Sequence, residues 1–190
     1  MQRQLFKLAL PPLALAAISC AGNGTLDGQA VPTGTISTGP LLARFYDEGV
    51  ASGTGSTSWV HTDGDSQRCD FTATLGWGSV FVVVDQVTAQ NRKTLDFSRF
   101  SNLVVDIKAA SNGGSVQIGV KTATDADDGS EPKALISNLT TGWQTVSIPL
   151  TTFVDATHPL SRLTQLYVVF ELVFSGGPSE SVFFRNVRFT

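Results

Sequence analysis

Residues 101–124 read SNLVVDIKAASNGGSVQIGVKTAT. In the first half Leu103, Val105 and Ile107 fall on one face of an extended chain, and Val104, Asp106 and Lys108 on the other. In the second half Val116, Ile118 and Val120 point one way, and Gln117, Gly119 and Lys121 the other. The period is two, as in a half-buried strand, not the 3.6 of a helix. Asn112-Gly113-Gly114 between them is a strong turn signal and predicts a hairpin.

The same pattern extends in both directions. LLARFYD (41–47), RCDFTATLGW (68–77), SVFVVVDQV (79–87), KALISNL (133–139), WQTVSIPL (143–150), QLYVVFELVF (165–174) and SVFFRNVRFT (181–190) read as further strands. EGVASGTGSTS (48–58) reads as a loop by composition. The total is about nine strands at the spacing of a two-sheet antiparallel sandwich. In QLYVVFELVF, Leu166, Val168, Phe170 and Leu172 are expected to face the core, with Tyr167, Val169 and Glu171 facing out. Twelve Phe and 18 Gly agree with an all-β chain, and 190 residues suffice for one domain with its own core. No internal repeat is present.

The N-terminus has a separate character. Arg3 and Lys7 precede an apolar run from Leu8 to Ile18, interrupted by Pro11 and Pro12 and too short for a stable membrane span. Residues 1–20 therefore read as an export signal. They end in AAISC, which resembles a bacterial lipobox and marks Cys20 for lipidation, with Ala17 where Leu is usual. Residues 21–40, rich in Gly, Thr and Pro, read as a flexible tether, and 41–190 as the sandwich domain. The product is expected at the cell envelope as an anchored lipoprotein, or secreted. A lipidated Cys20 leaves Cys69 as a small buried apolar residue; a retained thiol leaves a disulfide between them open. Two of the 13 basic residues and none of the 16 acidic ones precede Cys20, so the remainder carries a net charge of −5. An acidic chain without a basic cluster argues against nucleic acid as partner, and leaves the lipid as the only membrane contact.

LDFSRFSNLVVDIKAA, followed by the Trp143-to-Phe153 segment WQTVSIPLTTF and the closing strand SVFFRNVRFT, resembles the galactose-binding-like β-jelly rolls. The resemblance covers roughly residues 41–190. It is greatest to bacterial carbohydrate-binding modules attached to β-glucan-degrading enzymes. It implies a jelly-roll sandwich, a polysaccharide ligand and a packing role for Trp143 at a strand start. It also implies a structural Ca²⁺, for which Asp47 and Glu48 are the candidates near the first strand. The last strand departs from that pattern, with Arg185 and Asn186 where an Asp is expected.

Alternation supplies the candidate ligand contacts. Asp106, Lys108, Gln117, Lys121, Tyr167 and Glu171 form an expected polar face with one aromatic, the mixture that sugar rings and hydroxyls require. The same pattern also suits an ordinary solvated sheet face. Trp59 and Trp77, both near loops, are either stacking platforms or caps on the core. The carboxylates of TDADDGSE (124–131) and the group His61, Asp63 and Asp65 suggest Ca²⁺, or solvated loops. In the first, Gly129 arrives one position early for an EF-hand, and the twelfth-position Glu is missing.

With two histidines and no G-x-S-x-G, H-E-x-x-H or phosphate loop, a small hydrolase ranks last. Non-catalytic polysaccharide binding ranks first, and a structural or adhesion lipoprotein that meets another protein second.

Overall fold

The computed structural model describes residues 29–30, 46–84 and 92–190; for 29–30 and 46–48 it describes the backbone alone. The whole leader with Cys20, and the tether apart from Gln29 and Ala30, lie outside the described residues, as do the side chains of Asp47 and Glu48. Twelve strands are present among the described residues: β1 (Gln29–Ala30), β2 (Tyr46–Ser52), β3 (Val60–Asp63), β4 (Ser66–Phe71), β5 (Gly78–Val84), β6 (Leu95–Asp96), β7 (Asn102–Ala109), β8 (Gly114–Thr122), β9 (Lys133–Leu139), β10 (Gln144–Pro149), β11 (Leu166–Phe174) and β12 (Glu180–Phe189). Short 3-10 turns cover Ala73–Leu75, Leu150–Phe153 and Leu160–Gln165. The chain is an all-β sandwich. The additions to the expected nine are β1, β3 and β6, all short. β2 also runs into the segment read as a loop.

One sheet has the order β10-β7-β12-β4-β3. In the other, β11 lies between β5 and β8, β2 and β9 take the outer positions, and the short β6 and β1 continue from the end of β11. β1 pairs with β6 in parallel, Gln29 opposite Leu95. Two residues of the expected tether thus join the sheet.

The expected hairpin of residues 101–124 does not form. β7 pairs with β10 and β12, whereas β8 pairs with β9 and β11, so the chain crosses from one sheet to the other. A hairpin would set the two apolar faces side by side. The corner sets them face to face across the core, which buries both. Gly113, at φ +95°, supplies a backbone conformation that a side chain would strain.

The faces themselves follow the alternation. Leu103, Val105, Ile107, Val116, Ile118 and Val120 all lie in one core cluster. Phe170 of β11 meets Phe184 of β12 across the sheets at 5.3 Å. Cys69 lies in the same cluster as a free, fully buried thiol, its pKa pushed up by burial and then by the Asp70 charge. In β11 the expected order is altered. Val169 is in the main core, while Val168 packs outside it with Tyr167 and Val83. The register slips between Val168 and Phe170, and such a bulge turns one residue to the opposite face.

Candidate functional site

The outer face of the five-stranded sheet carries a row of side chains running across its strands. Trp143 precedes β10, whose Gln144 pairs with Ile107, and so stands beside Lys108. Lys108 pairs with Phe183, Phe183 with Arg68, and Arg68 with His61. Strands lie about 4.8 Å apart, so five such positions reach roughly 19 Å. The Lys108 ammonium sits 4.9 Å from the Trp143 ring centre and 4.7 Å from that of Phe183. The Arg185 guanidinium lies 4.2 Å from the Trp143 ring, and Arg68 5.7 Å from Phe183. Trp143 is half-buried and outside the core cluster. It packs on the sheet's outer face against two cations, and not in the interior as the packing role implied.

Acidic groups lock the other cations in place. Asp106 accepts from Thr145 Oγ1 at 2.9 Å and from Asn186 Nδ2 at 2.8 Å, with Arg188 at 3.6 Å. Burial pushes its carboxyl up, but the two hydrogen bonds and the Arg188 and Arg185 charges outweigh that and hold it below the ordinary range. Asp70 accepts from Ser181 Oγ at 2.6 Å and Arg68 Nε at 2.8 Å, with His61 Nε2 at 3.5 Å. It is likewise held low against the effect of burial. Arg185 also pairs with Asp65. Lys108 makes no ion pair among the described residues, which leaves its three N–H groups available.

A bulge in β12 builds one corner of this face. The register slips between Arg185 and Arg188, and Asn186 sits at φ +51°. That extra residue lets Arg185 and Asn186 both reach outward, one to Trp143 and one to Asp106.

The structure brings Asp106 and Lys108 together here, but not the other sequence candidates. Gln117, Lys121, Tyr167 and Glu171 stand on β8 and β11 of the other sheet. The expected single polar face is therefore two faces, because the corner after β7 separates β7 from β8. The second face lies under the segment 123–132. Lys121, whose side chain is 9% exposed, reaches Asp127 and Glu131, each at 3.5 Å, and Lys133 Nζ reaches Glu131 at 2.6 Å. Arg92 pairs with Asp127 and lies over the Tyr167 ring, and Arg162 pairs with Asp125. Glu171 accepts from Ser79 Oγ at 2.8 Å.

The EF-hand-like carboxylates Asp125, Asp127 and Glu131 thus each face a cation of the chain itself. Asp128 stays within its own loop, accepting from the Ser130 N–H. Among the described residues no group of His, Cys, Asp and Glu is arranged to hold a metal ion. Trp59 caps the core, packed edge-on against Phe71 and Phe174 with centres at 6.5 and 5.7 Å. Trp77 is 46% exposed at one end of the sandwich, beside Gly53. Phe183 is the contact that sequence reasoning missed. The alternation Val182, Phe183, Phe184 carries the signal, since one of two adjacent Phe residues in a strand must face outward.

Comparison with known proteins points the same way. A crystal structure of a family 30 carbohydrate binding module matches with a TM-score of 0.57 at 16% identity, covering 86% of this chain and 89% of that one. The family 30 carbohydrate-binding module of a cellulosomal cellulase of Clostridium thermocellum matches with a TM-score of 0.56 at 18% identity, covering 84% and 98%. A mutant of a family 29 carbohydrate binding module, complexed with mannohexaose, matches with a TM-score of 0.52 at 16% identity, covering 80% and 86%. At these identities the likeness is one of fold. No curated protein matches the sequence. The sequence profile of carbohydrate binding domain 30 matches residues 46–190, and by that match the chain belongs to this family.

Proposed function

We propose that the outer face of the five-stranded sheet binds a β-glucan-type polysaccharide without cleaving it. The observation that carries this is Lys108, an ammonium without a carboxylate partner among the described residues, set between the rings of Trp143 and Phe183 and one row from the fixed carboxylate of Asp106. Aromatic planes take the apolar faces of pyranose rings, and the charged groups take hydroxyls. Asp106 and Asp70 are held ionised, as acceptors and not as acids. A glycosidase needs one carboxyl kept protonated to donate to the leaving oxygen. The cellulase module among the structural neighbours makes a β-1,4-glucan the first ligand to try, and mannohexaose the natural comparator.

The test is titration of tryptophan fluorescence with cellohexaose and mannohexaose, in the wild type and in Trp143→Ala. A saturable change with one of the sugars, lost in Trp143→Ala while the fold is kept, is expected. No response to either sugar would count against the reading.

The leader supports a second part of the proposal: export, and anchorage through a lipid on Cys20. Cys20→Ala should then move the protein from the membrane fraction to the soluble one. Equal partitioning of the two forms would refute the anchor.

A further inference from the structure

At one end of the sandwich is a groove of about 400 Å³ that the sheet face does not include. Its walls are the corner after β7 and the β11–β12 loop, and Phe71 and Phe174 reach it from the core. That volume lies within the range of small-molecule sites. The lining is largely polar. Ser115, Gln117 and Ser175 contribute hydroxyl and amide groups that bond to no described residue. Leu135, 66% exposed on the edge strand β9, offers an apolar surface at the same place. Glu180 begins β12 here. Its Oε2 accepts the Ser115 N–H at 3.2 Å, and its Oε1, though buried, has no hydrogen-bond partner. The carboxylate occupies the space a side chain on Gly114 would need, since a Cβ there would fall 1.5 Å from Oε1. The corner thus has a glycine where the acid must lie.

We infer that this groove is a second carbohydrate site, which takes the end of a neutral glycan chain. The inference rests on the carbohydrate-binding reading above but uses different residues. A flat sheet face accepts an extended chain along its length, whereas a groove walled by two loops accepts a terminus. A terminal sugar has a free hydroxyl that an internal one spends in linkage, and Glu180 Oε2, whose bond from the Ser115 N–H is exposed, has a second lone pair to accept it. The ring's apolar face has Leu135 to rest on. Gln117, placed by sequence among the candidate ligand contacts, belongs to this groove and not to the five-stranded face.

The experiment follows backbone amides by NMR during titration of the full domain with cellohexaose. Saturable shifts are expected at Gly113, Gly114, Ser115 and Gly176, separate from those at Lys108 and Phe183. Ser175→Trp, an exposed loop position, should fill the groove and abolish the first set while the second remains. Glu180→Gln keeps the shape but removes the charge, and should weaken the groove set about tenfold, the difference between a charged and a neutral acceptor. Groove amides that stay still while the face responds would overturn the inference and leave the face reading intact. Groove shifts without face shifts would support the inference and overturn the face reading. Loss of both sets in Ser175→Trp, or no shift anywhere, would overturn it.

Discussion

Replacing Lys108 by Ala tests the proposed face most directly. Its ammonium has no carboxylate partner among the described residues, so the substitution strands no opposite charge there. In the complex it would donate to sugar hydroxyls. A hydrogen bond from a charged donor contributes about 1.5–3 kcal/mol, which corresponds to a roughly tenfold to 150-fold loss of affinity. The cost to the free protein is smaller. Two cation–π contacts at partly exposed rings contribute about 0.5–1 kcal/mol each. Relief of repulsion from Arg185 and Arg68 offsets part of that. For a domain of this size the melting temperature should fall by no more than about 4–8 °C. Titration calorimetry with cellohexaose at 25 °C, well below the transition, measures the affinity, and scanning calorimetry the stability. Lys108→Met keeps the aliphatic stem against the two rings and isolates the loss of the ammonium. If both variants bind within twofold of wild type, the ammonium does not touch the ligand and the face has been misread.

Trp59→Ala should lower stability by about 3–5 kcal/mol, the usual cost of deleting a buried large aromatic, because Trp59 is packed against Phe71 and Phe174; an unchanged thermal transition would refute its place in the core. Arg162 is buried and donates to the Phe153 carbonyl at 2.8 Å, the Val120 carbonyl at 3.3 Å and the Asp125 carboxylate, so Arg162→Met should cost about 3–5 kcal/mol in denaturant unfolding, and Arg162→Met with Asp125→Asn should recover part of it. Glu171 is held above the ordinary carboxyl range by burial and, further, by the Glu131 charge. A raised native value stabilises the fold below the unfolded value of about 4.3, and that contribution is lost as pH rises through the native one. Glu171→Gln should therefore melt higher than wild type at pH 7, with the difference closing towards pH 4; a difference independent of pH would refute the assignment.

Local alternation was legible in the sequence, and which sheet each strand joins was not. Leu103, Val105 and Ile107, and Val116, Ile118 and Val120, lie inward as their spacing predicts. The Asn112-Gly113-Gly114 corner fits a hairpin and a sheet crossing equally well, since both need a reversal with glycine freedom. Pairing partners far along the chain decide between them: β7 lies against β12, and β8 against β11. That one choice separated Asp106 and Lys108 from Lys121 and Tyr167. The exchange of Val168 and Val169 was hidden because both are valine, and a bulge leaves no mark in composition. Trp143 was read from the strand pattern of its segment, which places it at the strand start but does not say which surface the ring covers. Arg185, which covers one part of that ring, lies 42 positions along the chain and reaches it only because β12 pairs with β7.

The two outer sheet faces resemble each other in composition and differ in what answers their charges. On the seven-stranded sheet, Lys121 and Lys133 are answered by Glu131, and Arg92 by Asp127, from a segment that lies over the sheet. On the five-stranded sheet the answering groups stand within the face: Asp70 for Arg68, Asp65 for Arg185 and Asp106 for Arg188. Pairing of this kind fixes long side chains in position before any ligand arrives, so less conformational freedom remains to be lost on binding. It also leaves the face close to neutral. Of its four cations, Lys108, Arg68, Arg185 and Arg188, Lys108 alone has no ion pair among the described residues. A polyanion would find little net field there, since each guanidinium is already matched. A neutral polyol needs something else: directional donors and acceptors at fixed spacing beside aromatic planes. The charges are therefore arranged as hydrogen-bonding groups and not as an attractive field, and that arrangement suits an uncharged glycan.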